Sequence, residues 1–212
     1  MKIGNNCVVR IRMACYIRIL SATTVFINIL LAGQKEKIMR LQNKKIAILV
    51  AEGVEDYEYF VPMMRLQEEG AQVLTAALDL KPVKGKNGLT VTPDTLIESL
   101  NADELFALII PGGWAPDKLR RYDVVKNLVK KMDDAGKIIG IICHGGSTAI
   151  SAGIIKKGQR VTGSTGIKDD LVNAGAVWAD EPAFRSGNQV WGRVVADIPD
   201  FNRELVRALV EG

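Results

Sequence analysis

The feature that most constrains this fold is an apolar run, Ile138–Ile142, that ends abruptly at Cys143. His144, Gly145 and Gly146 follow at once, and a helical pattern of small residues begins after them. A buried strand that turns straight into a helix places its last side chain at the helix N-terminus, where backbone N–H groups and the helix dipole favour an anion. The pattern therefore predicts a nucleophile elbow in which Cys143 has a lowered pKa and attacks a substrate.

A structural role for Cys143 is the alternative. Free cysteine is among the most buried residue types and commonly serves as a small hydrophobic side chain. The abrupt end of the strand and the glycines after it, which allow a tight turn and the close approach of a substrate, favour the nucleophile.

The charge distribution argues against nucleic-acid binding. The 212 residues carry a net charge of +4, but residues 1–40 hold +6 of it, which leaves −2 for the remainder. His144 is the only histidine, and Cys143 is the only cysteine after residue 40. Since a zinc site needs several such ligands and a disulfide needs two thiols, we expect no metal, no cofactor and a reducing compartment.

Residues 1–40 differ in character from the rest. Basic residues precede an apolar segment at 19–32, which is shorter than the roughly 18 residues that a membrane-spanning helix needs. The segment is compatible with a signal peptide or with a structured extension. We favour translation from Met39, which would make residues 1–38 an artefact of start-site choice. The protein is then cytoplasmic, and export is expected only if residues 1–33 are a genuine signal.

Residues 41–212 are predicted to form one catalytic domain without membrane association. Apolar runs that are typical of strands buried on both faces alternate with amphipathic helical patterns, which predicts an α/β sandwich around a mainly parallel sheet. A hairpin is expected around Asn87-Gly88. The helix that ends at Glu69 is expected to bury Met64, and one continuous helix is expected over residues 116–134.

Three segments with unusual chemistry follow predicted strands, at residues 52–58, 111–117 and 143–146. Ligands of parallel sheets bind beyond the carboxyl ends of the strands, so one shared site is expected there. Glu55 or Glu58 can cap a helix, or one of them can point at Cys143 and hold a proton when the thiolate is present. Gly112-Gly113 can form a tight turn, or its N–H groups can form an oxyanion hole with that of His144.

Four motifs, at residues 50–58, 110–113, 142–145 and 166–170, resemble the PfpI family in order and spacing. These intracellular cysteine peptidase-like and deglycase proteins belong to the class I glutamine amidotransferase-like superfamily. The resemblance runs from about Lys44 to the C-terminus. It implies a flavodoxin-like three-layer α/β sandwich with a mainly parallel central sheet, and a homo-oligomer that is a dimer or a trimer of dimers.

The resemblance also implies roles for the site residues. Cys143 would be the nucleophile, His144 its base or orienting partner, and Glu58 the buried carboxyl beside the sulfur. The amides of Gly113 and His144 would form the oxyanion hole. Asp117 matches a third acidic residue that a neighbouring subunit contributes, although the family usually carries glutamate there. Further substrate-binding positions would be Gly112, Glu55 and Trp114.

Several functions are consistent with this apparatus. Glyoxalase III or deglycase chemistry on methylglyoxal, glyoxal or their adducts would pass through a hemithioacetal, whereas peptide hydrolysis would pass through an acyl-enzyme. A non-enzymatic stress chaperone, or a sensor oxidised at Cys143, is a third possibility. We favour a small carbonyl compound or a glycated protein as substrate, in stress protection, because a thiolate beside a protonated carboxyl in a small polar pocket suits an aldehyde.

Overall fold

The computed structural model describes residues 39–212, so the expectations for residues 1–38 lie outside the described part of the chain. Arg40–Gly212 forms one compact unit. None of the helices described here is long and apolar enough to cross a membrane. The strands are β1 Lys45–Leu49, β2 Gln72–Ala77, β3 Val83–Lys84, β4 Thr90–Val91, β5 Thr95–Leu96, β6 Ala107–Ile110, β7 Ile138–Ile142, β8 Arg160–Val161, β9 Val177–Trp178, β10 Ala183–Ser186 and β11 Gln189–Gly192.

The central sheet is mainly parallel, as the alternating pattern predicts. Its seven strands lie in the order β10-β11-β7-β6-β1-β2-β5, and among these described pairs only β10 and β11 run antiparallel. In the middle of the sheet Ile48 lies beside Ile109, which lies beside Gly140. A Cβ at Gly140 would lie 3.1 Å from both Phe201 and Leu205. The C-terminal helix that carries these two residues therefore packs directly on β7. The inner strands β1, β6 and β7 are buried almost throughout, which explains their continuous apolar runs.

Helices cover both faces of this sheet and complete the three-layer sandwich. The first and last helices pack together and the last also covers β7, β10 and β11, while the third packs against β6 and β7. The predicted hairpin around Asn87-Gly88 is formed by β3 and β4. The helices are α1 Asp56–Glu68, α2 Ala115–Leu119, α3 Asp123–Asp134, α4 Gly146–Ser151, α5 Lys168–Asn173 and α6 Ile198–Glu211.

Two details of the helix predictions are wrong. The continuous helix expected over residues 116–134 is two helices, α2 and α3. The backbone of Tyr122 is extended, which interrupts the helix between them. Met64 is exposed rather than buried, since the buried stripe of α1 runs through Tyr59, Pro62 and Leu66. Hydrophobic character alone does not select the inner face, because a long apolar side chain also occurs on the surface.

Candidate active site

The carboxyl ends of β1, β6 and β7 meet at one cavity, where the three segments with unusual chemistry were expected to converge. The cavity has a volume of about 360 Å³. Six of the predicted site residues line it. Gly112 does not, although its N–H donates a hydrogen bond to Glu58, which does, and Asp117 lies outside the cavity. The lining residues are Glu55, Glu58, Lys86, Gly113, Trp114, Cys143, His144, Ser164, Val194, Val195 and Ala196.

Cys143 occupies the predicted elbow. Its φ is 59°, in the left-handed region that residues other than glycine seldom adopt. A single 3₁₀ turn, Cys143–Gly145, joins β7 to α4. A Cβ at Gly145 would lie 2.4 Å from the carbonyl oxygen of Ile110, so this turn can pack against β6 only if the residue is glycine. The strained backbone at a cavity is typical of a functional residue.

Glu58 is completely buried behind the sulfur. Its Oε2 accepts a hydrogen bond of 2.7 Å from the N–H of Gly112. Its Oε1 has no hydrogen-bond partner of standard geometry among the described residues, although the carboxyl group interacts with the Cys143 thiol. Burial raises the pKa of Glu58 to about 7, against the lowering effects of the Gly112 N–H and of Cys143. The carboxyl group is therefore placed to exchange a proton with the thiol.

The prediction of a lowered pKa for Cys143 is wrong. Burial, and then the negative charge of Glu58, raise the pKa of the thiol to about 12. The N–H groups of His144 and Gly113 hydrogen-bond the sulfur and act in the opposite direction. N–H groups at the helix terminus are present as expected. The sequence pattern does not show that the thiol is buried or that the carboxylate of Glu58 lies beside it. Because two adjacent anions oppose each other, the pair carries one negative charge over a wide pH range.

The double glycine allows the backbone to approach Cys143 and Glu58 closely. A Cβ at Gly112 would lie 2.6 Å from Glu58 Oε2 and 2.7 Å from Cys143 Cβ. Gly113 has a φ of 75°, and a Cβ there would lie 2.3 Å from the carbonyl oxygen of Gly53. Both positions therefore require glycine. The N–H groups of Gly113 and His144 both hydrogen-bond the sulfur. Such a pair of N–H groups has the geometry that an oxyanion hole requires.

His144 lies beside the sulfur, with Nδ1 3.3 Å from Cys143 Sγ. Burial, with a smaller contribution from the charge of Lys86, lowers the pKa of the imidazole, so the ring is neutral at neutral pH. The ring also packs against Gly166, where a Cβ would lie 3.2 Å from Nε2. This contact brings the fourth sequence motif to the site.

Trp114 and Asp117 mark the rim. The indole of Trp114 lines the mouth of the cavity but is 62% exposed. Asp117 lies on α2 and forms a surface ion pair with Arg121, so it does not reach the cavity within its own chain. Glu55, by contrast, is buried, and it accepts a hydrogen bond of 2.6 Å from Asn87 Nδ2.

One wall of the cavity and a positively charged side chain that lines it, Lys86, were not identified from the sequence. Val194 and Val195 come from the turn after β11, and Ser164 comes from the loop after β8. Lys86 comes from the hairpin of β3 and β4. The turn at Asn87-Gly88 is visible in the sequence, but its position over the cavity depends on contacts with distant residues. Within residues 39–212, no group of three or more His, Cys, Asp or Glu side chains could hold a metal ion.

Known proteins share this architecture. The DJ-1/PfpI family model matches residues 44–208. A deglycase of Pyrococcus abyssi is 42% identical over 165 residues, which cover 78% of this chain and 99% of that protein. Protein/nucleic acid deglycase 2 of Escherichia coli is 36% identical over 170 residues, which cover 79% of this chain and 98% of that protein.

A solved structure extends the likeness to three dimensions. It is the two-domain protein of Anabaena variabilis with DJ-1/ThiJ/PfpI-like and ferritin-like domains, which matches with a TM-score of 0.76 and 33% identity. The match covers 79% of this chain and 48% of that one, and it confirms the predicted flavodoxin-like fold. Because the family model matches residues 44–208, well over half of the chain, the chain belongs to the DJ-1/PfpI family.

Proposed function

We propose that this protein is a cysteine-dependent enzyme that converts small 2-oxoaldehydes such as methylglyoxal and glyoxal, or their adducts with proteins, in protection against carbonyl stress. The observation that carries the proposal is the buried pair of Cys143 and Glu58, in which one proton can move between sulfur and carboxyl. The names of the relatives from Pyrococcus abyssi and Escherichia coli, both deglycases, support it.

The chemistry follows from the positions of the groups. Above a pH of about 7, ionised Glu58 takes the thiol proton as Cys143 Sγ attacks the aldehyde carbon, and the new oxyanion is stabilised by N–H groups. Protonation of that oxygen gives a hemithioacetal. Neutral His144 can then move the proton from the former aldehyde carbon to the adjacent carbon, while the hydroxyl proton of the hemithioacetal passes to the neighbouring ketone oxygen. This isomerisation leaves the thioester of the 2-hydroxy acid. Water hydrolyses the thioester, releases the 2-hydroxy acid and restores the thiol, so glutathione is not required.

A cysteine peptidase is the second candidate, because acyl transfer needs the same nucleophile and oxyanion site. The cavity volume of about 360 Å³ lies at the small end of ligand pockets, which favours a small aldehyde over a peptide.

Product analysis distinguishes the two activities. We expect purified protein to form lactate from methylglyoxal without glutathione and to release no peptides from casein. Protein blocked with iodoacetamide is the control and should form no lactate. Absence of lactate from protein with an intact Cys143 thiol, shown by mass spectrometry, would exclude the aldehyde reaction. Casein cleavage that disappears on alkylation would favour the peptidase.

We further propose that the protein is a homo-oligomer in which Asp117 of a second copy approaches His144. Trp114 exposes apolar surface at the mouth of the cavity, and His144 Nε2 has no hydrogen bond to the described residues of its own chain. A second copy covering this rim would bury the indole and bring a carboxylate to the imidazole. Since the described part of the chain has one free cysteine, we also propose a cytoplasmic location.

Oligomeric state and one substitution test this arrangement. We expect sedimentation to show a species larger than the monomer, and Asp117→Asn to lower kcat about 10-fold by removing an orienting carboxylate. The control is Asp134→Asn, which changes another surface aspartate in an i,i+4 ion pair, on α3. A fully active monomer, or equal effects of the two substitutions, would contradict the proposal.

A further inference from the structure

The hairpin of β3 and β4 is fastened over the active site by the segment that precedes Glu58. The buried carboxylate of Asp56 accepts hydrogen bonds of 2.6 Å and 2.9 Å from the backbone N–H groups of Asn87 and Leu89. The N–H of Lys86 donates to the carbonyl oxygen of Val54 at 2.8 Å. The tip of the hairpin is therefore fixed to the same strand–helix junction that carries the catalytic carboxyl.

This docking brings the ammonium group of Lys86 to the cavity that contains Cys143. Its Nζ lies 3.2 Å from Oε2 of Glu55, whose carboxylate is buried. The other oxygen of that carboxylate accepts a hydrogen bond from Asn87 on the same hairpin. Glu55 therefore holds Lys86 in a defined position, with 43% of the lysine side chain still exposed to the cavity and solvent.

Among the described residues that line the cavity, Lys86 alone carries a positive charge at neutral pH. The charged and titratable groups around the sulfur are Glu58 on α1, Glu55 before it, Lys86 on the hairpin and His144 beside it. Glu55 raises the pKa of Glu58 and Lys86 lowers it, while the ion pair with Glu55 is the main cause of the raised pKa of Lys86. Without the lysine, Glu55 would stand as an uncompensated anion beside the catalytic pair.

We propose that Lys86 is a positioning residue that supplies the counter-charge for the singly ionised pair of Cys143 and Glu58. It acts through that pair and not through contact with the reacting carbonyl. The inference rests on Cys143 being the nucleophile of the proposed function, but it does not depend on which carbonyl compound is the substrate.

Alkylation of Cys143 tests this role without any turnover. The full-length protein and its variants are treated with iodoacetamide across a pH series, and the peptide that contains Cys143 is quantified by mass spectrometry, which separates it from the other two cysteines. We expect Lys86→Met to lower the alkylation rate at pH 7 by about 3- to 10-fold and to raise the midpoint of the profile by about 0.5 to 1 pH unit.

Two further variants separate charge from structure. Lys86→Arg keeps the positive charge and should restore the profile. Lys84→Met removes an exposed lysine two residues earlier in the same hairpin, outside the cavity, and should match the wild type. Raising the salt concentration to about 1 M should move the wild-type profile toward that of Lys86→Met, which checks the role without a substitution.

Three outcomes would overturn the inference. They are a Lys86→Met profile that coincides with the wild type, a Lys86→Arg profile that coincides with Lys86→Met, and an equal shift in Lys84→Met. If the alkylation results are as expected but methylglyoxal is not converted, the proposed substrate is wrong, while the role of Lys86 as counter-charge is supported. Conversion of methylglyoxal with an unshifted alkylation profile would reject the counter-charge alone.

Discussion

Replacement of Cys143 by serine should abolish turnover of methylglyoxal, with a loss of at least about 10⁴-fold, while the fold remains intact. Oxygen and sulfur differ little in size, so the elbow and its N–H contacts are retained. A serine hydroxyl is far less acidic than a thiol, and its hemiacetal cannot become the thioester that water must hydrolyse. Lactate formation measures the loss, and the removal of one member of a catalytic unit accounts for its size.

The same variant separates the three functional hypotheses. An enzyme of either type loses all activity, and an oxidation sensor loses its response to mild peroxide. A chaperone that binds unfolded clients through exposed apolar patches keeps its activity. Thermal unfolding of the variant is the control, and its Tm should match that of the wild type within about 3 °C. Lactate formation above about a tenth of the wild-type rate would contradict the role of Cys143 as nucleophile.

Local features of the sequence predicted the framework of this site. The elbow at Cys143 follows from a buried strand that ends at a cysteine and is continued by glycines, and φ at Cys143 has the strained value that such a turn requires. Gly112-Gly113 likewise marks a close approach of the backbone to Cys143 and Glu58. Both features are read within a few residues of the chain, where strand, turn and helix patterns are strongest.

The electrostatics of the site could not be predicted in this way. Proximity to helix N–H groups indicates a lowered pKa for Cys143, but burial and the charge of Glu58 outweigh it and raise the pKa to about 12. Lys86 was missed because its place over the cavity depends on Asp56, about thirty positions away in the chain. The pKa values in the site depend on the combined influence of groups that only the folded chain brings together.

Replacement of Glu58 by glutamine should lower turnover by about 10² to 10⁴-fold and yet stabilise the protein above pH 7. The kinetic loss follows because the amide cannot take the thiol proton during attack on the aldehyde. Activity of the wild type should rise as pH increases through about 7, where the carboxyl ionises, and this rise should be absent in the variant. Lactate formation across a pH series measures both effects.

Replacement of an ordinary ion-paired carboxylate by an amide lowers the stability of a protein, whereas Glu58→Gln should raise it above pH 7. Burial raises the pKa of Glu58 from 4.5 to about 7, so the folded state binds this proton more tightly than the unfolded state does. The stabilisation of the folded state by this bound proton is therefore complete below pH 4.5 and is lost as pH rises through about 7. A shift of this size corresponds to about 3 kcal/mol, or about 6 to 12 °C in Tm for a chain of this length.

Two controls isolate the buried carboxyl. Glu58→Asp keeps an ionisable group but shortens its reach by one methylene, so turnover should fall while the pH dependence of Tm persists. Glu98→Gln removes an exposed carboxylate and should change neither property. If the Tm of Glu58→Gln stays parallel to that of the wild type from pH 4 to 9, Glu58 does not hold the proton in the folded protein. A rise of activity through about pH 7 would then have to come from another group, and His144 Nδ1 is the other proton acceptor within reach of the sulfur.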